Sequence, residues 1–489
     1  MLKIYSTQQA REFDLRASRE FAIPSAELMA RAGRAAAALV LSRWPLAQRI
    51  VVLCGPGNNG GDGYVVAALL QAAVRDVAVF GFGEPQLERN PDAYAARQAF
   101  KQKGVFIAAN ALDQALRDAD LVVDALYGIG TRPLTGELAA IVARLNALNK
   151  PVLALDLPSG LDSDTGAAEL AVRASETITF IVYKLGLFTG QARQFVGQLS
   201  LASLDLEPAL FVDSAPHAQA LEFSNFAKTQ RTPVAHKGQF GHVWAVGGAP
   251  GFAGAVHLCA QAALRAGAGR VSVVTDASNV QALVTSRPEL MVRADAQIPD
   301  FVAGMVLAIG PGLSKSKWAR TLFAQALDWP GPRVFDADAL NLLAELELDG
   351  ADAMDLGANT VLTPHPAEAA RLLKTNTVAI ESNRPAAAHA LAAKYGCVVL
   401  LKGAGTLIAA PNLTLGVCLF GNAGMASGGM GDVLTGVIAA LLAQGLSAFD
   451  AAEQGALLHA KAGDRAAAMG MRGLLAGDVI SELRSVVNP

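Results

Sequence analysis

Short, continuous apolar runs alternate with amphipathic, alanine-rich stretches along this whole chain. Runs in which apolar residues do not alternate with polar ones are typical of strands buried on both faces. Helical stretches between such strands predict parallel sheets covered by helices on both sides. The pattern predicts an α/β protein made of two three-layer αβα domains. The predicted strands are Ile50–Cys54, Val77–Phe80, Leu121–Asp124, Val152–Asp156, Thr177–Ile181, His242–Val246, Val271–Thr275, Met305–Ile309, Arg333–Asp336, Val398–Leu401 and Thr406–Ala409.

A change in amino-acid composition near residues 210–230 divides the chain into two parts. Glycine makes up 47 of the 489 residues, yet none lies between Gly197 and Gly238, and prolines are scattered through that gap. Such a stretch is typical of a linker between domains. We therefore expect one domain over residues 1–215 and another over residues 225–489, each long enough to bury its own core.

Charge, cysteine content and hydropathy exclude several classes of protein. The net charge of −3 argues against a protein that coats nucleic acid. The 4 cysteines lie far apart and predict buried free thiols rather than a disulfide framework. The first residues lack the apolar run of a signal peptide, and the uncharged stretch 403–431 is too rich in glycine for a membrane helix, so it predicts a hairpin and loop. We expect a cytoplasmic protein without nucleic-acid or membrane partners.

A glycine loop follows the first predicted strand of the N-terminal half. In parallel sheets, ligands bind beyond the carboxyl ends of the strands. The loop Gly55–Gly63 leads into a helix, and such an arrangement can hold an anion on backbone N–H groups. A Walker A loop is excluded because the dipeptide Gly-Lys occurs nowhere in the chain. A tight structural turn is the alternative, but Asn58, Asn59 and Asp62 favour a functional loop.

Oxygen-bearing side chains stand at the ends of three successive predicted strands. Asn59, Asp124 and Ser159, with Asp156 nearby, are suited to bind a hard cation. Because carboxylates are few, a monovalent ion is at least as compatible as a divalent one. The alternative is that Asp124 and Asp156 only cap the following turn or helix.

The sharpest motif of the C-terminal half precedes the apolar helical stretch Val433–Leu442. Glycines at positions 428, 429 and 431 leave backbone N–H groups free to hold an oxyanion or phosphate at the start of this helix. Asp432 then lies beside the anion, where a carboxylate can act as base for a hydroxyl that attacks a phosphoryl group. Its alternative role is a helix cap.

Other polar residues of this half allow a ligand role or a structural one. His365 is flanked by prolines after a strand, which favours a ligand contact, whereas His257 and His459 lie in helical stretches and are expected to pack. Lys402 follows an apolar run and precedes a glycine loop, which favours nucleotide phosphate over solvent.

The motifs of the N-terminal half resemble those of the NAD(P)H-hydrate epimerase family. They are Asn58–Asp62, Gly128–Pro133 and Asp156–Asp162, with further similarity at Ile23–Met29 and at Lys184–Leu187. The resemblance implies a Rossmann-like epimerase fold, with Asp156 as candidate acid/base, Lys184 as its electrostatic partner, and a potassium ion at Asn59, Asp124 and Ser159. The residues that it implies as contacts for the hydrated nucleotide are Asn58, Asn59, Gly60, Gly61, Asp62, Gly128, Ile129, Gly130, Thr131, Arg132, Pro133, Leu134 and Asp156.

The motifs of the C-terminal half resemble the NAD(P)H-hydrate dehydratase family of the ribokinase-like superfamily. The matching segments include His236–Gly238, Thr363–Pro366, Lys402–Thr406 and Asn422–Asp432. The resemblance implies a ribokinase-like fold with Asp432 as catalytic base. The implied substrate contacts are Ala255, Gly312, His365 and Asp432. The implied nucleotide contacts are Lys402, Gly403, Ala404, Gly405, Thr406 and Gly431.

The two resemblances imply one repair function. Hydration of NADH or NADPH gives the hydrates NADHX or NADPHX, each of which exists as R and S epimers at C6. The first domain would interconvert the R and S epimers, and the second would dehydrate the S epimer. The expected co-substrate is ADP, and the expected products are NAD(P)H, AMP and phosphate. We expect K⁺ in the first domain and Mg²⁺ in the second, and we expect the chain to form a homo-oligomer. The alternative is a ribokinase-like kinase for a vitamin or sugar, fused to a non-catalytic nucleotide-binding module.

Overall fold

The computed structural model divides the chain into two compact units. They are Lys3–Ala218, and Gln219–Pro489 together with Met1–Leu2. The structure describes residues 2–103, 111–130, 133–223, 231–348 and 354–488.

The N-terminal unit is built around a parallel sheet. Its strands are β1 (Lys3–Tyr5), β2 (Arg49–Cys54), β3 (Asp76–Gly81), β4 (Leu121–Ala125), β5 (Val152–Leu155), β6 (Glu176–Phe180), β7 (Tyr183–Lys184) and β8 (Gln198–Ala202). Six of them form a sheet in the order β3-β2-β4-β5-β6-β8, and every neighbouring pair is parallel. Because the chain moves outward from β2 to β3 and then returns to β4, the carboxyl ends of β2 and β4 flank the crevice where such sheets bind ligands.

Helices cover both faces of this sheet. They are α1 (Thr7–Glu20), α2 (Ser25–Arg43), α3 (Asn58–Ala72), α4 (Pro91–Lys103), α5 (Leu112–Asp118), α6 (Gly136–Ala147) and α7 (Ala192–Phe195). Alternate residues of β2 enter opposite cores: Ile50 and Val52 pack with α1, α2 and α3, whereas Val51 and Leu53 pack with α5 and α6. The strand is therefore apolar at successive positions, as the sequence pattern requires.

The C-terminal unit has a larger sheet with an antiparallel edge. Its strands are β9 (Ala218–Ala220), which begins at the unit boundary, β10 (His242–Val246), β11 (Arg270–Val274), β12 (Met291–Arg293), β13 (Met305–Ile309), β14 (Arg333–Phe335), β15 (Thr360–Leu362), β16 (Val398–Leu401), β17 (Leu407–Ala409) and β18 (Leu415–Val417). Strands β12-β11-β10-β13-β14-β15-β16 are hydrogen-bonded in that order and parallel. Strands β17 and β18 continue the sheet in antiparallel pairing.

Two layers of helices enclose the C-terminal sheet. One core packs the sheet against apolar helices near the chain end, and Phe335 on the other face contacts Phe323 with ring centroids 5.6 Å apart. The helices are α8 (Ala253–Arg265), α9 (Val280–Ser286), α10 (Lys317–Leu327), α11 (Asp338–Leu348), α12 (Pro366–Leu372), α13 (Thr377–Ser382), α14 (Arg384–Tyr395), α15 (Met430–Ala443), α16 (Ala448–Ala466) and α17 (Ala476–Val486).

The fold class predicted from the sequence is confirmed. All predicted strands form, with ends shifted by at most a residue or so, and the uncharged stretch 403–431 contains the hairpin β17–β18. Strands β8, β12 and β15 were not predicted; β8 and β12 contain polar or charged residues rather than a continuous apolar run, and β15 has only three residues. The four cysteines are buried free thiols. Across the part of the chain that the structure describes, no helix has the length and apolarity to cross a membrane.

Candidate active sites

The carboxyl ends of β4 and β5 meet at a buried carboxylate. Asp124, at the end of β4, is fully buried and accepts hydrogen bonds from the Ser159 hydroxyl (2.7 Å) and the Ser159 backbone N–H (2.8 Å). The Ser159 Oγ in turn accepts the backbone N–H of Tyr127 (2.8 Å). Burial raises the pKa of Asp124 to about 6, although the hydrogen bonds from Ser159 oppose the shift. A cation beside this carboxylate would offset the cost of burying its charge.

The Asn59 amide is a buried polar group without a partner. Asn59 is 8% exposed, and neither its Oδ1 nor its Nδ2 has a hydrogen-bond partner in the described structure. A buried, unpaired amide costs free energy unless a ligand satisfies it. The oxygens of Asn59, Asp124 and Ser159 are hard donors with a single carboxylate among them, which fits a potassium ion.

Two strained turns shape the neighbouring polar cluster. Asp156 follows β5 with φ +65°, and the N–H of Leu157 bonds across it to the carbonyl of Leu155. Ile181 follows β6 with the same φ, in a second turn of this kind. A non-glycine residue at positive φ costs roughly 1–3 kcal/mol, most clearly when it is β-branched, and such strain is concentrated at functional sites.

These turns bring Asp156 and Lys184 into contact. The Lys184 ammonium is buried and donates to Asp156 Oδ1 at 2.6 Å, to Thr179 Oγ1 at 3.0 Å and to the carbonyl of Phe180 at 2.8 Å. All three donors of the ammonium are thus engaged, which fixes its position. The second carboxylate oxygen, Asp156 Oδ2, remains directed toward Gly128.

Gly128 separates the cation site from this pair. A methyl group at Gly128 would lie 3.2 Å from Asp156 Oδ2 and 3.3 Å from the Asn59 side chain, so only glycine fits without displacement. The loop predicted to contact substrate therefore passes directly over both groups. Thr131 and Arg132, predicted substrate contacts, lie outside the described residues.

Two further carboxyl groups face the Asp156–Lys184 pair. Burial raises the pKa of Asp62 well above its usual range, and the charges of Asp156 and Asp14 add to the shift. Partial desolvation raises the pKa of Asp14 to about 6. The positive charge of Lys184 opposes this increase, and the negative charge of Asp156 adds to it. Asp14 was not predicted from the sequence. Its helix α1 also reaches the predicted substrate loop, because Arg11, three positions earlier, donates to the carbonyl of Ile129 at 3.3 Å.

In the C-terminal unit, Asp432 lies in the first turn of α15. Gly429 precedes the helix with φ +89°, a conformation that L side chains rarely adopt, and this lets the glycine loop turn sharply into the helix. The backbone N–H groups of the first turn have no partners within the helix. Burial raises the pKa of Asp432 to about 7; Asp336 adds to the shift and Lys402 opposes it.

Asp336, at the end of β14, binds three side chains. It is 1% exposed and accepts from Lys402 Nζ (2.7 Å), Thr363 Oγ1 (2.8 Å) and Thr435 Oγ1 (2.8 Å). Burial opposes its ionisation, but the Lys402 ammonium and these hydroxyl groups outweigh burial and lower the pKa of Asp336. A methyl group on Gly431 would lie 3.1 Å from Lys402 Nζ, so the ammonium touches the first turn of α15.

The network continues to His365 through Glu368. Glu368 accepts the backbone N–H of His365 at 2.8 Å, and its other oxygen lies 3.3 Å from His365 Nε2. Its distance to Lys402 Nζ is 3.8 Å. Burial raises the pKa of Glu368 to about 7, with Lys402 opposing. His365 Nδ1 accepts backbone N–H groups at the start of α12, so His365 caps this helix and its half-exposed ring has a fixed orientation.

The remaining predicted substrate contacts lie beside one another. A methyl group on Gly312 would stand 3.1 Å from Ala255 Cβ and 2.8 Å from Phe252 Cβ. Helix α8, which carries Ala255, packs closely on α15, because Gly436 lets the carbonyl of Cys259 approach. In the nucleotide loop, the Thr406 hydroxyl donates to the carbonyl of Gly403 at 2.9 Å and closes the turn.

Comparison with known proteins decides the family. Residues 243–485 match the family model described as NAD(P)H-hydrate dehydratase, and residues 25–186 match that of the YjeF-related protein N-terminus. The bifunctional NAD(P)H-hydrate repair enzyme of Escherichia coli is 44% identical over 471 residues, covering 95% of this chain and 90% of that protein. The enzyme of the same name from Coxiella burnetii is 42% identical, with complete coverage of both chains. This chain belongs to the bifunctional NAD(P)H-hydrate repair enzyme family.

Among solved structures, similarity is found to a dehydratase from Bacillus subtilis. The crystal structure of that ADP/ATP-dependent NAD(P)H-hydrate dehydratase, co-crystallized with ATP/Mg²⁺, is 26% identical and covers 53% of this chain and 92% of that chain, with a TM-score of 0.47.

In this member of the repair enzyme family, several polar residues join the sites without having been predicted as site residues. Asp336 and Glu368 in the C-terminal unit, and Asp14 and Thr179 in the N-terminal unit, contact or face predicted residues. No spacing rule in the sequence pairs Asp336 or Glu368 with Lys402, which follows another strand. Lys402 itself points to Asp336, so its predicted contact with nucleotide phosphate stays a prediction.

Proposed function

We propose that residues 225–489 dehydrate S-NADHX and S-NADPHX with ADP, and that residues 1–215 interconvert the R and S epimers. The observation that carries the proposal is the position of Asp432: a carboxyl with a pKa of about 7 stands in a glycine-rich helix start, beside a lysine held by a second carboxylate. Membership of the repair enzyme family supports both activities.

The dehydration follows from this placement. Asp432 takes the proton of the C6 hydroxyl, and the hydroxyl oxygen attacks the β-phosphoryl of ADP, so that AMP leaves with the electrons of the broken P–O bond. In the phosphorylated hydrate the C6–O bond then breaks, phosphate departs, and loss of a proton from C5 forms the ring double bond of NAD(P)H. The backbone N–H groups of the glycine loop hold the charge on the transferring phosphoryl group.

Epimerisation is assigned to the pair at the ends of β5 and β6. C6 carries both a hydroxyl and the ring nitrogen, so removal of the hydroxyl proton lets the C6–N bond break to give an aldehyde, while the ring nitrogen takes up a proton. When the nitrogen adds back to the other face of the aldehyde and the oxygen regains a proton, the opposite epimer forms. Asp156 Oδ2 is directed toward the predicted substrate loop, whereas Oδ1 is held by Lys184. We assign Asp156 as the acid/base and Lys184 as the group that orients its carboxylate.

Two ions complete the proposal. Asn59, Asp124 and Ser159 would hold potassium, which would fix the loop around Gly128 over the substrate. Among the described residues no group of three or more His, Cys, Asp or Glu could hold a metal. We therefore propose that Mg²⁺ arrives with the nucleotide, whose phosphates it neutralises when bound. A cytoplasmic location and a homo-oligomeric state stay predictions from the sequence.

The experiment follows all products of one reaction. Purified protein is mixed with S-NADHX and ADP, and NADH, AMP and phosphate are measured together. We expect equal amounts of the three, and a loss of about 10³-fold or more in Asp432→Asn. The matched control is Asp300→Asn, an exposed carboxylate, which should react as wild type. AMP formed with a stable phosphorylated product and no NADH would instead support the kinase alternative, and full activity in a folded Asp432→Asn would contradict the assignment of the base.

A further inference from the structure

Asp336 is the side chain through which the elements around Asp432 are connected. It stands at the end of β14, while its partners come from the ends of β15 (Thr363) and β16 (Lys402) and from α15 (Thr435). Three neighbouring parallel strands and the helix that bears the proposed base are thus joined by one carboxylate.

The two carboxylate oxygens divide these contacts. Oδ1 accepts from Lys402 and Thr363, and Oδ2 accepts from Thr435. Thr435 lies three residues after Asp432, one helical turn away, so the bond to Thr435 fixes the turn that carries the base. A carboxylate shared in this way can hold a lysine and a helix in one relative position.

The charges around Asp432 come from several elements. Asp336, Lys402, Asp338 and Glu368 act on its carboxyl, and the fully buried Cys259 thiol of α8 also faces it. Burial and the charge of Lys402 lower the pKa of His459 to about 4, so this imidazole is neutral at physiological pH and adds no charge. Burial is the main cause of the raised pKa of Asp432, and among the described residues Lys402 is the cation that opposes it, so the position of Lys402 affects how easily Asp432 ionises.

We propose that Asp336 is a positioning residue for dehydration: it holds the Lys402 ammonium and the Thr435 hydroxyl together, and so fixes the charge environment in which Asp432 accepts the substrate proton. The inference rests on the proposed function of Asp432 and goes beyond it, because it assigns a role to a residue that no motif singled out. It also gives Lys402 a role directed at the base rather than at the nucleotide.

The two charged partners should act on Asp432 in opposite directions. Loss of the Asp336 carboxylate removes a negative charge and leaves Lys402 without its neutralising partner, so Asp432 should ionise more easily. Loss of the Lys402 ammonium removes the positive charge, so Asp432 should ionise less easily. If Asp336 only supported the fold, its removal would not change the ionisation of Asp432 in the direction opposite to the change caused by removing Lys402.

The test is the pH dependence of kcat, because its acid limb reports the base in the enzyme–substrate complex. Wild type, Asp336→Asn, Lys402→Met and the control Asp300→Asn are assayed with saturating S-NADHX and ADP. We expect the acid midpoint to move to lower pH in Asp336→Asn and to higher pH in Lys402→Met, with kcat reduced about tenfold or more in both. Asp300→Asn should retain the wild-type profile.

The result that overturns the inference is an Asp336→Asn profile with the wild-type midpoint, or a shift in the same direction for both variants. If Asp336→Asn does not fold, Thr435→Val replaces it: kcat should fall while the midpoint stays, because the hydrogen bond is lost and the charges remain. Wild-type kcat in Thr435→Val, or an unshifted Lys402→Met, would then overturn the inference. A wild-type protein without ADP-dependent NADH formation would contradict the proposed function itself.

Discussion

At the scale of residues, buried charges in both units are held by groups of side chains rather than by isolated pairs. Lys184 binds Asp156, a threonine hydroxyl and a carbonyl, while Asp336 binds a lysine and two threonine hydroxyls. Burying two charges is costly unless further hydrogen bonds satisfy them, and the threonines provide these bonds. The Asn59 amide lacks such partners within the described structure, which makes Asn59 the residue that most directly indicates an ion-binding position.

This gives a prediction for potassium that does not depend on activity. Adding KCl in place of tetramethylammonium chloride should raise the free energy of unfolding by about 1–3 kcal/mol, because an ion bound only by the native state stabilises it. Asn59→Ala should lose this response, whereas Asn58→Ala, at an exposed neighbouring position, should keep it. The measurement is thermal unfolding at constant ionic strength. An equal response in wild type and Asn59→Ala would contradict the site.

At the scale of elements, the sites follow strand ends, and this explains what the sequence could predict. Continuous apolar runs mark parallel strands, and the polar residues after Cys54 and Ala125 mark the crevice where the strand order reverses. The network around Asp336 could not be predicted, because it depends on which strands are neighbours and on side-chain direction. The positive φ of Asp156 and Ile181 could not be predicted either, because only a small share of aspartates adopt positive φ and a β-branched isoleucine rarely does.

Helix α16 carries a buried carboxyl whose effect on stability can be predicted. Glu453 is 9% exposed, its Oε1 has no hydrogen-bond partner in the described structure, and burial raises its pKa to about 7, with Asp450 adding. Because the pKa is raised in the folded state, the folded protein binds more protons than the unfolded chain, and this group destabilises the fold as pH rises from about 4 to 7.

Glu453→Gln should therefore stabilise the protein at high pH only. We expect a gain of roughly 1–3 kcal/mol in the free energy of unfolding at pH 8 and little change at pH 5, where Glu453 is already protonated. Denaturant unfolding at the two pH values measures both numbers, and Asp300→Asn supplies a control at an exposed carboxylate of the same unit. An equal gain at both pH values would contradict the explanation by burial of charge.

At the scale of the whole molecule, the two units carry chemically different sites. The N-terminal site has a candidate cation position beside Asp156, whose carboxylate is bound by Lys184. The C-terminal site has a glycine-rich loop at the start of a helix, where the pKa of Asp432 is raised. Relatives that share the full length of the chain are named as bifunctional repair enzymes. An epimerase and a dehydratase in one chain would allow both epimers of the hydrate to be returned to NAD(P)H.

The most direct test of this account uses an R/S mixture of NADHX. The purified full-length protein is mixed with it, ADP, Mg²⁺ and K⁺, and the return of NADH is followed by absorbance, with Asp156→Asn in parallel. We expect wild type to convert both epimers completely, and Asp156→Asn to convert the S fraction rapidly and then slow to the uncatalysed rate of epimerisation. A wild-type reaction that stops at the S fraction would contradict the epimerase assignment, and no NADH at all would contradict the central claim that this chain repairs hydrated NAD(P)H.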